Sequence, residues 1–117
     1  MTWGDEHPAF DPAAVDGLRA ALDDDALLSS LTGSFLTETP QHISALVNAQ
    51  RAGDLHTVST TAHLIKGSAL TFGASRLAAT CAAIEASPAE AGTLVSVVEQ
   101  EYGAFSRALA AHLGPLL

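Results

Sequence analysis

Lys66 is the only lysine of the chain, and it stands three residues after His63 and directly before Gly67. On a helix, side chains at i and i+3 meet on one surface, so an imidazole and an ammonium would lie side by side. Glycine inside a helix costs roughly 0.5–1 kcal/mol relative to alanine, and on a solvent face it returns no packing. Its use there is access, because leaving out a side chain one turn from His63 lets something approach closely. A neutral imidazole is a competent nucleophile near neutral pH, and a neighbouring cation offsets the charge of a phosphoryl group placed on its nitrogen. The spacing suits a phosphohistidine. An exposed histidine on an acidic, alanine-rich helix is ordinarily just solvated; the solitary lysine and the costly glycine set this one apart.

The helix that must carry these residues has the strongest periodicity in the sequence. Leu55, Val58, Ala62, Ile65, Ala69 and Phe72 follow a 3-4-3-4-3 spacing that predicts one buried stripe. At roughly 100° per residue, His63 falls more than 100° from the centre of that stripe and so points to solvent. Ser59, Thr60, Lys66, Gly67 and Leu70 share its side, and Leu64 also falls outside the stripe. His56 lies two turns earlier, roughly 10 Å along the axis, too far for both histidines to bind one metal ion directly. His7, His42 and His112 read as surface residues, and no metal site is expected.

No Walker-type glycine loop, Rossmann fingerprint or carboxylate cluster for Mg²⁺ accompanies the patch. The phosphoryl group would therefore come from a partner that brings the metal, and the chain itself is expected to hold no cofactor. Thirteen acidic residues against five basic ones give a net charge of −8, which repels a phosphate backbone and argues against nucleic acid. No run of 18 apolar residues is present, and Asp5 and Glu6 stand where a signal peptide needs basic and then apolar residues. A single cysteine, Cys81, cannot form an internal bridge. A cytoplasmic protein with no membrane span is the expectation.

The 117 residues suit one domain, and 48% hydrophobic content with only 5% aromatics favours helix over strand. The pattern predicts a flexible arm over residues 1–10 and a helical bundle domain over 11–117. Asp11 caps a short helix that opens on Pro12 and ends near Leu22. Asp23, Asp24 and Asp25 start a long helix with apolar positions at Leu27, Leu28, Leu31, Phe35, Ile43, Leu46 and Val47. Pro40 should kink or split it, and Gly53 ends it before Asp54 caps the next. Beyond the Gly73 stop, a fourth helix to about Ala86 buries Leu77, Cys81 and Ile84. A last one from near 88–90 carries Leu94, Val98, Phe105, Leu109 and Leu113 to a stop at Gly114 and Pro115. The expected fold is all-α: an antiparallel up-down four-helix bundle with a short additional N-terminal helix.

Residues 62–85, AHLIKGSALTFGASRLAATCAAIE, resemble the signature of histidine-containing phosphotransfer (HPt) domains. Matches fall at Ala62, His63, Lys66, Gly67, Ser68, Ala69, Gly73, Ala74, Leu77, Cys81, Ile84 and Glu85, with Ile65 in place of the commoner leucine. The stretches FLTETPQHISAL and AGDL upstream extend the similarity, which covers about residues 24–112. The resemblance implies a non-enzymatic phosphoryl carrier. His63 would accept the group through Nε2 from a receiver-domain aspartate and return it to another receiver in a multistep phosphorelay. Lys66 would neutralise phosphoryl charge and Gly67 would leave room for the receiver. Ser68 matches a motif position and Arg76 one where such domains often carry arginine near the phosphohistidine; both join Ser59, Thr60, Leu64 and Leu70 as candidate binding residues around the docking surface. Partners would be response-regulator receivers, with their Mg²⁺, and a hybrid or other sensor kinase. Two alternatives stand beside it: the phosphoacceptor domain of a chemotaxis-type histidine kinase, and a helical adaptor that is never phosphorylated.

Overall fold

A computed structural model describes residues 7–116. Among the described residues five α-helices follow one another: α1 (Pro12–Leu22), α2 (Asp25–Ala52), α3 (Leu55–Phe72), α4 (Ser75–Ala86) and α5 (Gly92–Leu113). Short 3₁₀ turns occupy Pro88–Glu90 and Gly114–Leu116, and no strand occurs among the described residues. Connections of two to five residues force successive helices antiparallel, so α2 to α5 close into an up-down bundle, and α1 lies against α2 and α3.

The helix ends are built as the sequence dictates. Asp11, Asp24 and Asp54 each accept a hydrogen bond from a first-turn backbone N–H at 3.0–3.2 Å. The three successive aspartates divide their work: Asp23 closes α1 in the left-handed region (φ 49°), Asp24 caps α2, and Asp25 is its first helical residue. Gly73 ends α3 at φ 81°, and residue 11 crosses directly over it, where a Cβ would run into the Asp11 carbonyl.

Pro40 leaves α2 in one piece of 28 residues. Proline cannot donate to the carbonyl one turn back, that of Leu36, and Tyr102 of α5 donates its hydroxyl to this orphan at 3.2 Å. A neighbouring helix thus repairs the defect that the sequence placed there.

The inward face of α2 differs from the expected one. Leu28, Thr32, Phe35, Thr39, Ile43, Leu46 and Ala49 are buried, whereas Leu27 and Leu31 are exposed. Two threonines hold positions that a count of apolar residues passes over, and Thr32 satisfies its hydroxyl by donating to the Leu28 carbonyl at 2.7 Å. In α3 the predicted stripe is buried from Val58 to Phe72, but Leu55, the first helical residue, lies at the exposed rim. On α5, Leu94 is only partly buried, and Val95 is the enclosed residue beside it. All four phenylalanines pack in series: Phe10 on Phe105, Phe105 on Phe35, and Phe35 stacked on Phe72 with ring centroids 4.7 Å apart.

Residues 1–6 of the expected arm lie outside the described residues. Those at 7–10 rest on the bundle: the carbonyls of His7 and Pro8 accept from the Arg76 side chain and backbone, and Phe10 packs on the core.

Candidate functional site

Helix α3 presents His63 to solvent with 72% of its side chain exposed. Its position follows from the buried stripe on the opposite side of the same helix, where Val58, Ala62, Ile65 and Ala69 are enclosed. Helix α4 runs antiparallel beside it and brings Glu85 to the imidazole. Glu85 Oε2 lies 3.0 Å from His63 Nδ1, and Lys66 Nζ lies 2.7 Å from Oε1 of the same carboxylate. Burial pulls the Glu85 carboxyl upward, but the hydrogen-bonding and charge of Lys66 and His63 outweigh it and hold the carboxyl below its ordinary range. It is therefore ionised at neutral pH.

An ionised carboxylate can only accept, so the bond requires the proton on Nδ1. The lone pair of the neutral ring is then on Nε2, the nitrogen that faces away from the protein. One carboxylate thus fixes the tautomer of the imidazole and anchors the cation next to it. The arrangement supplies an exposed nucleophilic nitrogen, a counter-charge for the ring when it becomes cationic, and an ammonium within one helical turn.

Around this group, Gly67 is exposed, and a Cβ built on it would meet nothing within 4 Å. Leu64 and Leu70 are large exposed apolar residues, at 50% and 59%. Thr60 is exposed, with its hydroxyl donating to the Thr57 carbonyl, and Ser59 is half-buried. Ser68 turns from His63 toward a groove that it shares with Leu31, Phe35 and Phe72. Lys66, expected to be freely exposed, is only 28% exposed and ion-paired.

Arg76 is not brought into this group. It stands nine residues before Glu85 on α4, roughly 13 Å along the axis. Its guanidinium is taken up by the His7 carbonyl at 3.1 Å and by Glu101 of α5 at 3.4 Å. His112 is paired with Asp16 at 2.8 Å. No cluster of three or more His, Cys, Asp or Glu side chains suited to a metal ion occurs among the described residues. Cys81 is fully enclosed, and burial pushes its thiol up to about 12, far from a reactive thiolate.

Glu85 is the member of this candidate site that the spacing along α3 does not single out, although it closes the matched motif. A signal for it exists: between Asp54 and Glu90 it is the only acidic residue. In a chain of net charge −8, a lone carboxylate in such a stretch points to a specific partner.

Comparison with known proteins places these observations. The family model described as Hpt domain matches residues 30–109. The crystal structure of histidine-containing phosphotransfer protein B (HptB) from Pseudomonas aeruginosa PAO1 superposes with a TM-score of 0.80 at 25% identity, covering 89% of this chain and 93% of that one. No curated protein sequence matches. No helix among the described residues is long and apolar enough to cross a membrane.

Proposed function

The chain belongs to the Hpt domain family, the histidine phosphotransfer carriers of phosphorelays, and we propose that His63 is its phosphoacceptor. The observation that carries this reading is the Nδ1 contact to Glu85, which leaves Nε2 unprotonated and facing solvent. The Nε2 lone pair attacks the phosphorus of a receiver's aspartyl phosphate. The N–P bond forms as the P–O bond breaks, and the aspartate leaves as a carboxylate. Nδ1 keeps its proton throughout, so the phosphorylated ring is cationic, and the Glu85 carboxylate 3.0 Å away stabilises it. The return step to a second receiver reverses these bonds.

The chain positions and neutralises; it neither binds nor cleaves a nucleotide, and its partner brings the Mg²⁺. We place it in the cytoplasm, between a hybrid or other sensor kinase and response-regulator receivers. The direct test is incubation with a receiver labelled by acetyl phosphate. A label on this chain that acid removes and alkali does not marks a phosphohistidine, and a native chain that takes no label overturns the reading.

Two further expectations follow from the neighbours of His63. Lys66→Ala should slow transfer roughly tenfold, because it removes charge compensation from the transferring group. Its thermal unfolding should change little, since a partly exposed ion pair contributes about 0–1 kcal/mol. A native transfer rate would remove Lys66 from the mechanism. Gly67→Ala should stabilise the domain by roughly 0.5–1 kcal/mol, because the added methyl meets no neighbour. Gly67→Gln keeps most of that helix gain but fills the approach to His63, so transfer should fall at least about tenfold. Melting curves and transfer rates measured on both variants check this, and undiminished transfer in the glutamine variant would dispose of the access argument.

A further inference from the structure

Helices α3 and α4 leave a groove of about 310 Å³ that opens beside Lys66. Lys66 and Leu70 line it from α3, and Ala78, Ala79 and Ala82 from α4. Ser75, at the start of α4, lines it as well, and a further wall is His7, from the segment that precedes α1. That segment is fastened at several points. The Arg76 guanidinium donates to the His7 carbonyl at 3.1 Å, and the Arg76 backbone N–H donates to Pro8 at 3.0 Å. The Asp11 N–H donates to the Gly73 carbonyl at 2.7 Å, and the Phe10 ring packs against Phe105 and His112. The other end of the guanidinium reaches Glu101, so one arginine ties this strap to α4 and α5 together.

The charge around the groove indicates what it meets. Residues 55–84 contain no Asp or Glu but include Lys66 and Arg76, in a chain with thirteen acidic and five basic residues. The Glu85 carboxylate beside Lys66 is occupied by His63 and Lys66, and that of Glu101 by Arg76. A face on which, among the described residues, these carboxylates are taken up by cations, with the exposed Leu70 on it, fits a partner that presents carboxylates and a phosphoryl group. We propose that residues 7–10 form one wall of the surface on which the receiver docks, and that Arg76 is the positioning residue that holds them there. This rests on the reading of His63 as the phosphoacceptor. Arg76 touches neither the acceptor nor the phosphoryl group and acts through the strap.

The experiment compares the native chain, Arg76→Ala, a chain lacking residues 1–7, and the two changes combined. The truncation keeps the Pro8 carbonyl, the Phe10 packing and the Asp11–Gly73 bond, so the bundle retains its anchors. The probe is the receiver domain that charges the native chain fastest from a panel labelled with acetyl phosphate. Single-turnover transfer gives the half-saturating receiver concentration and the maximal rate, and direct labelling by phosphoramidate reports His63 without docking.

The half-saturating concentration should rise about tenfold in each single variant and no further in the combination. Maximal rate and phosphoramidate labelling should match the native chain, and Arg76→Lys should recover part of the loss. Native half-saturation in either single variant overturns the proposal. So does a multiplicative effect in the combination, or a fall in maximal rate alone, which would put Arg76 on the phosphoryl group. A native chain that neither reagent labels defeats the His63 reading itself, and this inference with it.

Discussion

A His63→Gln variant is expected to fold like the native chain, bind its receiver and take up no phosphoryl group. The side chain is 72% exposed, so its replacement disturbs no packing and should move stability within about 0.5 kcal/mol. Glutamine keeps a polar side chain of similar reach next to Glu85, so the shape of the docking face is retained. What it lacks is a nucleophilic lone pair on nitrogen, because the amide nitrogen is delocalised into its carbonyl. Label transferred from a phosphorylated receiver should therefore fall to background while calorimetric binding of that receiver persists. His56 offers the internal comparison, since it is exposed on the same helix, and the Asp54 carboxylate near it is taken up by the hydroxyl and backbone N–H of Thr57. Label that survives in His63→Gln and disappears in His56→Gln would move the acceptor two turns toward the start of α3.

Much of this was legible in the sequence, for a physical reason. Helix α3 contains Val58, Ala62, Ile65, Ala69 and Phe72 in strict register, so the direction of its buried face fixes the direction of His63. Caps and stops were equally local: a carboxylate at Asp11 or Asp54 and a left-handed glycine at Gly53 or Gly73 act within one turn of themselves. Where the reading fell short, the cause was tertiary. Thr32 and Thr39 are polar by type and become core residues because α2 is surrounded there. Pro40 promised a kink or a break, and the helix continues past it with a hydroxyl from α5, 62 positions later, on the freed carbonyl.

The candidate site divides in the same way. His63, Lys66 and Gly67 lie within one turn of one helix, where spacing alone relates them. Glu85 enters from α4, and nothing in the local pattern aims a residue 22 positions away at a particular ring nitrogen. Arg76 illustrates the converse. Motif matching puts it near the phosphoacceptor, but its side chain is directed by the strap and Glu101, groups 69 and 25 positions distant in sequence.

The contact that the sequence did not reveal carries the second large effect. Glu85→Ala should lower transfer roughly a hundredfold, as large as the loss when a metal-bound imidazole is deprived of its orienting carboxylate. Without the carboxylate, the ring is free to place its proton on Nε2, the nitrogen that must attack, and the phosphorylated ring loses its counter-charge. Glu85→Gln separates these contributions. Its amide oxygen can still accept from Nδ1–H, so the tautomer survives while the charge does not, and a loss of about tenfold is expected. Nitrogen chemical shifts of the His63 ring give a readout independent of transfer: Nδ1–H in the native chain and in Glu85→Gln, a mixture in Glu85→Ala. The ion pair also has a pH signature whose sign follows from its cause. Lys66 and His63 hold the folded-state carboxyl below its ordinary range despite burial. A carboxyl lowered by folding stabilises the fold above its unfolded pKa, and the benefit disappears as pH falls through the folded value. The stability difference between the native chain and Glu85→Gln should thus be present at neutral pH and be lost as pH falls below about 4. A difference unchanged at about pH 2, or an Nε2–H ring in the native chain, would mean that Glu85 neither charges nor orients this site.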